Sequence, residues 1–241
     1  MRILIIRHGD PDYEKDSLTP KGWREAEYLA EKMANEKMDA IYVSPLGRAQ
    51  DTASCTLKRT GKSAKTLGWL REFHAPIFDK ANKKLCGPWD LLPAFFTKVD
   101  DFFLPDKWAD TDFMRSGRVK QEYNRVCKQF DKLLKSHGYE RRGRYYKALH
   151  PNRDTIVLFC HFGVECVLLS HLLNTSPVPI WQGFCAAPTS VTTIYTEERE
   201  DGIAYFRCAS FGDISHLYAK GEPPAFAARY CETFDCKEER H

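Results

Sequence analysis

The sequence has no long apolar run. None of its hydrophobic stretches approaches the roughly 20 residues needed to span a bilayer, which argues against a membrane-spanning helix. The apolar opening over residues 3–6 is too short for a secretory leader, and Arg7-His8-Gly9-Asp10 interrupts it. Excess charge is also scarce. Lys and Arg number 36 against 33 Asp and Glu, for a net charge of +3. That balance argues against a dedicated nucleic-acid binder or a membrane-surface protein. Paired cysteine spacing is missing as well. Nine cysteines are scattered along the chain, and Cys160 and Cys166 flank apolar runs as small core residues would. This pattern fits a reducing cytoplasm better than a disulfide framework. Cys231 and Cys236, with His241 nearby, match no common zinc spacing, so neither a metal nor a cofactor is expected. No repeat or low-complexity tract is present.

What the sequence does contain is enough apolar material for one sizeable core: 241 residues, 43% of them hydrophobic. One α/β domain over 1–241 with an insertion is expected. Ile3-Leu4-Ile5-Ile6 reads as a buried strand. Thr19-Pro20 opens a helix, with Thr19 as its cap and Pro20 in its first turn. Trp23, Ala26, Ala30 and Met33 mark the inner face of that helix, and Glu25, Glu27, Glu31 and Lys32 the outer one. A second strand over 40–43 precedes Ser44-Pro45, which reads as another cap for a helix running to about Gly61. A third buried strand, TIVLFC at 155–160, precedes an apolar helix over 164–173. Residues 191–196 and 204–209 read as a hairpin across Glu200-Asp201-Gly202.

Alternating strands and helices predict a three-layer α/β/α fold: a mostly parallel central sheet with helices on both faces. Residues 85–152 differ. They are rich in aromatics (Trp89, Phe95, Phe96, Phe102, Phe103, Trp108) and then in Arg, Lys and Tyr, without a strong strand signal, and read as a mainly helical insertion. The tail from Gly221 carries Pro223-Pro224 and ends in charges expected to fray.

Three polar clusters interrupt this apolar frame at strand ends: Arg7-His8-Gly9, Ser44-Pro45-Leu46-Gly47-Arg48 and His161-Phe162-Gly163. In a parallel sheet the strand C-termini share one edge, where ligands bind, so the three clusters are placed to converge. Two of them also open helices, whose free N–H groups favour anions. Two guanidinium forks, two imidazoles and a helix N-terminus, without a carboxylate cluster to hold a metal, suit a phosphoryl dianion.

These segments, with Leu18-Thr19-Pro20-Lys21-Gly22, the continuation Ala49-Gln50-Asp51-Thr52-Ala53 and Leu70-Arg71-Glu72, resemble the histidine phosphatase superfamily, the phosphoglycerate-mutase-like fold. The motifs occur in the family's order. The resemblance implies that His8 is the nucleophile and forms a phosphohistidine. It implies that Arg7, Arg48 and His161 bind the phosphoryl oxygens, with Phe162 at the phosphate site, and that Glu72 is the general acid. His8 must then be neutral, whereas His161 can be charged and act as a donor, and Glu72 must be protonated when the leaving group departs. Phe73-His74-Ala75-Pro76 replaces the glycine and acidic residues that commonly follow the family's acid, so a surface role for Glu72 stays open, with His74, Asp10 or Asp12 as stand-ins. His216 resembles a late histidine near the family's pocket, in a supporting role.

The implied activity is metal-independent hydrolysis of a small phosphorylated substrate by a phosphomonoesterase of the histidine acid phosphatase type. The alternatives are a phosphoglycerate-mutase-type transferase and a non-catalytic phospho-ligand binding protein. A nucleic-acid module using the basic run Arg141, Arg142, Arg144 and Lys147 lacks the usual stacking pattern; the run reads first as a solvated face, with recognition of a second anionic group as the lesser alternative. Asp10-Pro11-Asp12-Tyr13-Glu14 departs from the Trp-Asn pattern of the mutases and places carboxylates near the pocket mouth, which favours the phosphatase. The sequence leaves the oligomeric state open.

Overall fold

Ile3 and Ile5 pack on one side of the first strand and Leu4 and Ile6 on the other, and all four are almost wholly buried. A strand covered on both faces has no polar face to alternate with, which is why the sequence shows a continuous apolar run there. The computed structural model describes residues 1–79, 84–225, 227 and 231–236. Among these, eight strands form the central sheet: β1 (Arg2–Arg7), β2 (Ala40–Val43), β3 (Lys65–Thr66), β4 (Tyr139–Arg142), β5 (Tyr145–Ala148), β6 (Thr155–Cys160), β7 (Val191–Glu200) and β8 (Ile203–Asp213). Their order is β3-β2-β6-β1-β7-β8-β5-β4.

Helices α1 (Pro20–Met33) and α2 (Gly47–Thr60) cover one face. There Leu29, Met33, Ala49 and Ala53 meet Leu4, Ile6, Ile41, Val43, Val157 and Phe159. Helices α3 (Val119–Ser136), α4 (Phe162–Leu173) and α5 (Pro177–Gly183) cover the other. Their side chains join Ile3, Ile5, Ile156, Leu158 and Phe206 in the larger core. The result is the expected three-layer α/β arrangement. Parallel pairing is confined to β3-β2-β6-β1, the half that carries the polar clusters. From β1 outward the sheet is antiparallel, because β7–β8 and β4–β5 are hairpins and a tight turn reverses the chain.

Several local expectations hold. Thr19 Oγ1 accepts from Gly22 N at the start of α1, and Gly61 ends α2 in the left-handed conformation at φ 67°. The hairpin across 200–202 is present, with longer strands than predicted. Other expectations need correction. Glu25 is fully buried, not on the outer face of α1, while Trp23 is 39% exposed. The Glu25 carboxylate accepts from Asp10 N at 3.0 Å and from Ala225 N at 3.1 Å, tying the first motif loop to the tail. Burial raises its pKa to about 7. Ser44 does not cap α2, which begins at Gly47 after Leu46 without a cap from Leu46's own side chain.

The insertion is not simply helical. Its helical pieces, Pro93–Phe96, Asp112–Arg115 and α3, are joined by 3-10 turns, but β4 and β5 form a hairpin that extends the central sheet. Tyr139, Tyr146 and Ala148 face inward. The basic residues between them decorate the hairpin: Arg142 pairs with Glu140, Arg144 with Asp106, and Arg141 lies over the Tyr146 ring at 5.0 Å. The expected fraying of the last residues, and His241, lie outside the described residues. No described helix is long and apolar enough to cross a membrane, and Cys55, Cys127, Cys160 and Cys166 are buried.

Candidate active site

The parallel half of the sheet brings the three clusters together. Arg7 is paired in register with Cys160, His8 N donates to Cys160 O at 3.1 Å, and Ser44 N donates to Phe159 O at 2.9 Å. The ends of β1, β6 and β2 therefore lie side by side, with His8, His161 and Ser44 as the next residues. The His8 and His161 rings are 5.0 Å apart between centroids. A cleft of about 470 Å³ is lined by Arg7, His8, Arg48, Glu72 and Phe162, together with Tyr13, Trp89, Asp90, Phe184, Cys185, Ala186 and Ala227.

His8 is held by its neighbour. Its Nδ1 lies 2.7 Å from Gly9 O. A carbonyl oxygen only accepts, so Nδ1 carries the proton and Nε2 keeps its lone pair. Burial, then the fields of Arg7 and Arg48, hold the ring's pKa well below its ordinary value, and His8 is neutral. Gly9 has a steric reason. A Cβ there would stand 2.8 Å from Gly22 O, and one on Gly22 would stand 2.3 Å from Asp10 O, so both glycines are needed where the motif loop crosses the first turn of α1.

Arg7 is buried, and its two terminal nitrogens donate to Ala186 O and to Ala227 O. Burial lowers its pKa. Arg48 lies in the first turn of α2 and bonds Asp16 Oδ1 at 2.6 Å, with the Tyr13 ring 5.5 Å from the guanidinium carbon. His161 Nε2 is 2.7 Å from Ser44 Oγ, which leaves the buried Nδ1 without a protein partner. Burial, with His8 and both arginines nearby, lowers the His161 pKa well below its ordinary value. A charged His161 is thus corrected to a neutral one.

Glu72 is brought into the cleft. Its Oε1 accepts from Phe73 N at 2.7 Å and from Val164 N at 3.1 Å. Burial outweighs these bonds and the field of Arg7, and its pKa is raised. The stand-ins are not brought there. His74 is exposed, Asp10 accepts from Thr19 Oγ1, and Asp12 pairs with Lys15. The carboxylates expected at the pocket mouth therefore turn into their own loop, and the cleft's other lining carboxylate is Asp90. The basic run 141–147 is also absent from the lining.

Asp16 and Glu165 were not legible in the sequence. Asp16, with φ at +48°, accepts from Gly47 N at 2.7 Å, and Glu72 accepts from the first turn of α4. Each helix N-terminus expected to receive substrate anion is thus occupied by a carboxylate of the chain itself. Glu165, buried behind the site in α4, lies beside Thr192 without a well-formed hydrogen bond, and burial raises its pKa to about 7. His216 supports the site indirectly. Its Nε2 is 3.0 Å from Thr189 Oγ1, and Thr189 N donates to Arg7 O and His8 O. Its pKa falls to about 4 through burial and Lys32. No group of three or more metal-ligating side chains occurs among the described residues.

The fold is shared with solved structures. Phosphoserine phosphatase from Entamoeba histolytica, solved with phosphoserine, is 20% identical, with 90% of this chain and 98% of that chain covered at a TM-score of 0.61. A mycobacterial glucosyl-3-phosphoglycerate phosphatase is 21% identical over 88% and 98%, at a TM-score of 0.59. A putative alpha-ribazole-5'-P phosphatase from Escherichia coli is 19% identical over 88% and 97%, at 0.56. At these identities the likeness establishes the fold alone. No curated protein matches at the sequence level. The family model of the histidine phosphatase superfamily (branch 1) matches residues 3–208, and the chain belongs to that superfamily.

Proposed function

We propose that this chain is a metal-independent phosphomonoester hydrolase working through a phosphohistidine on His8, with 1–241 acting as one catalytic domain. Superfamily membership and the phosphatases among its structural neighbours support phosphatase activity in general. The observation that carries the finer reading is the 2.7 Å contact between His8 Nδ1 and Gly9 O, in a ring kept neutral between two arginines. It leaves Nε2 as the nucleophile.

In the first step Nε2 attacks phosphorus, the ester P–O bond breaks, and Glu72 gives its proton to the departing oxygen. Arg7 and Arg48 bear the charge of the equatorial oxygens, in place of a metal ion. In this reading the Ser44 hydroxyl donates to His161 Nε2, which leaves Nδ1–H to donate to a phosphoryl oxygen, and Phe162, whose ring is 6.0 Å from the Arg7 guanidinium, flanks the phosphate site. In the second step water attacks phosphorus, Glu72 takes a proton back, the N–P bond breaks, and phosphate leaves with His8 restored.

Assay of small phosphomonoesters with and without chelator, beside His8→Ala and acid-labile phosphoenzyme trapping, tests this reading. Turnover that survives chelation, a labile phosphoenzyme, and loss of both in His8→Ala are expected. Turnover retained by His8→Ala overturns the nucleophile. Phosphate transfer to a second substrate without net hydrolysis supports the mutase alternative. Phosphate-ester binding without turnover supports a non-catalytic binding protein.

A further inference from the structure

Four aromatic residues, Tyr13, Trp89, Phe162 and Phe184, line the cleft. Trp89 stands beside the acid. A Cβ placed on Gly163 would lie 2.6 Å from Glu72 Oε1 and 3.3 Å from Trp89 Cε3, so carboxylate and indole share one wall. The Trp89 loop is fixed at both ends by one side chain of α5. Gln182 Nε2 donates to Pro88 O at 2.9 Å, and Leu91 N donates to Gln182 Oε1 at 3.1 Å. Phe73 supports the indole at 6.3 Å. Phe184 packs edge-on against Phe211 at 4.9 Å, yet is still 44% exposed, and Phe162 lies under Arg7. Phe184 is exposed and Trp89 half-buried, and both line the cleft, where rings left open to solvent can receive an apolar group.

Charge sharpens this. Among the described residues, the arginines lining the cleft are Arg7 and Arg48, beside His8, and the other charged lining residue beyond Glu72 is Asp90. A leaving group carrying a second anion would meet a carboxylate there. Arg71, an exposed guanidinium whose field reaches His161, does not line the cleft. We propose that Trp89 and Phe184 form a subsite for an aromatic leaving group, which makes this chain an aryl-phosphate phosphatase, with Gln182 as the residue that positions Trp89. The inference rests on the phosphoester reading of the same cleft, and goes beyond it by naming the leaving group.

Phosphonates separate leaving-group binding from leaving-group chemistry, because their P–C bond is not hydrolysed. Titration calorimetry of the full chain with phenylphosphonate and methylphosphonate is the test. The phenyl compound is expected to bind about tenfold more tightly, as one aromatic contact with its apolar burial provides. Trp89→Ala is expected to bring the ratio to within about twofold, and Phe184→Ala, on a more exposed residue, to lower it partly. Gln182→Ala should lower the same ratio while methylphosphonate binding changes less. Equal affinities in the unsubstituted protein, no binding of either compound, or tighter binding of 3-phosphoglycerate than of phenylphosphonate overturns the inference. A preference for phenylphosphonate without turnover of any ester retains the aromatic subsite and overturns only the hydrolase reading.

Discussion

Asp16 Oδ1 accepts a hydrogen bond from Arg48 Nη1 at 2.6 Å, while the other oxygen of the same carboxylate accepts from Gly47 N at 2.7 Å. One side chain thus closes the start of α2 and fixes the guanidinium that faces the phosphate site. A Cβ on Gly47 would lie 2.0 Å from Asp16 O, so the contact also fixes residue 47 as glycine. Removing the carboxylate releases both partners. Asp16→Ala is expected to lose about 1 kcal/mol of stability, the value of a capping bond, and to raise KM several-fold as Arg48 loses its orientation. Asp16→Asn keeps the oxygen facing Gly47 and should recover most of the stability. Melting temperatures beside steady-state kinetics separate the two effects; an Asp16→Ala protein with unchanged KM removes the orienting role.

In the proposed mechanism Glu72 and His8 set the pH dependence in opposite directions. His8 attacks only when neutral, and its pKa lies well below the ordinary value, so activity is lost only as pH falls far into the acid range. Glu72 must be protonated, and its pKa lies above the ordinary carboxylate value, so activity is lost as pH rises through that raised pKa. A bound phosphoryl dianion raises it further. An acid-favoured bell is expected in kcat, and Glu72→Gln should be slower by roughly 10²–10⁴-fold with the alkaline limb gone. A flat profile from pH 4 to 9 in the unsubstituted enzyme contradicts this assignment.

Gly163 lies against the acid. The Cβ of Gly163→Ala would approach Glu72 Oε1 to 2.6 Å, and the carboxylate has to move. The expected result is a fall in kcat of about tenfold or more, since the acid is misplaced rather than removed, with a smaller effect on binding of inorganic phosphate. Full activity in Gly163→Ala would place the working position of Glu72 elsewhere.

Glu165 provides a stability test with a definite sign. Its pKa in the folded protein is about 7, against an ordinary 4.5. Below pH 4.5 the group is protonated in both folded and unfolded chains. Between 4.5 and 7 the unfolded chain ionises first, so stability falls as pH rises through this window. Glu165→Gln fixes the neutral shape. It should be more stable than the parent at pH 8, by roughly 1–3 kcal/mol, and no more stable at pH 4.5. Urea denaturation at the two pH values measures this, and a gain of equal size at both points to a packing effect instead.

Residues 3–6 and 155–160 were legible as buried strands because a segment covered on both faces needs apolar side chains throughout. The strand ends were legible as a site because Arg7, His8, Arg48 and His161 interrupt that pattern with groups a core does not use. The hairpin of β4 and β5 was not legible. Its outward positions carry Arg and Lys, which read as a solvated face, and only Tyr139, Tyr146 and Ala148 report the buried one. Trp89 stood among many aromatics, most of which are packing or surface residues, and its place in the cleft depends on contacts with α4 and α5.

The sequence by itself determined the order of the strands and helices around the site, and which histidines and arginines stand at its edge, because these follow from hydrophobic pattern and local chemistry. The tertiary structure decided what each carboxylate does. Asp10, Asp12, Asp16, Glu25, Glu72, Asp90 and Glu165 are chemically alike in sequence. The fold turns two of them into their own loop, buries Glu25 and Glu165 away from water, sets Asp16 on Arg48 and places Asp90 and Glu72 in the cleft lining. A carboxylate's role depends on its burial and on the donors and charges around it, and those come from segments far apart in the chain.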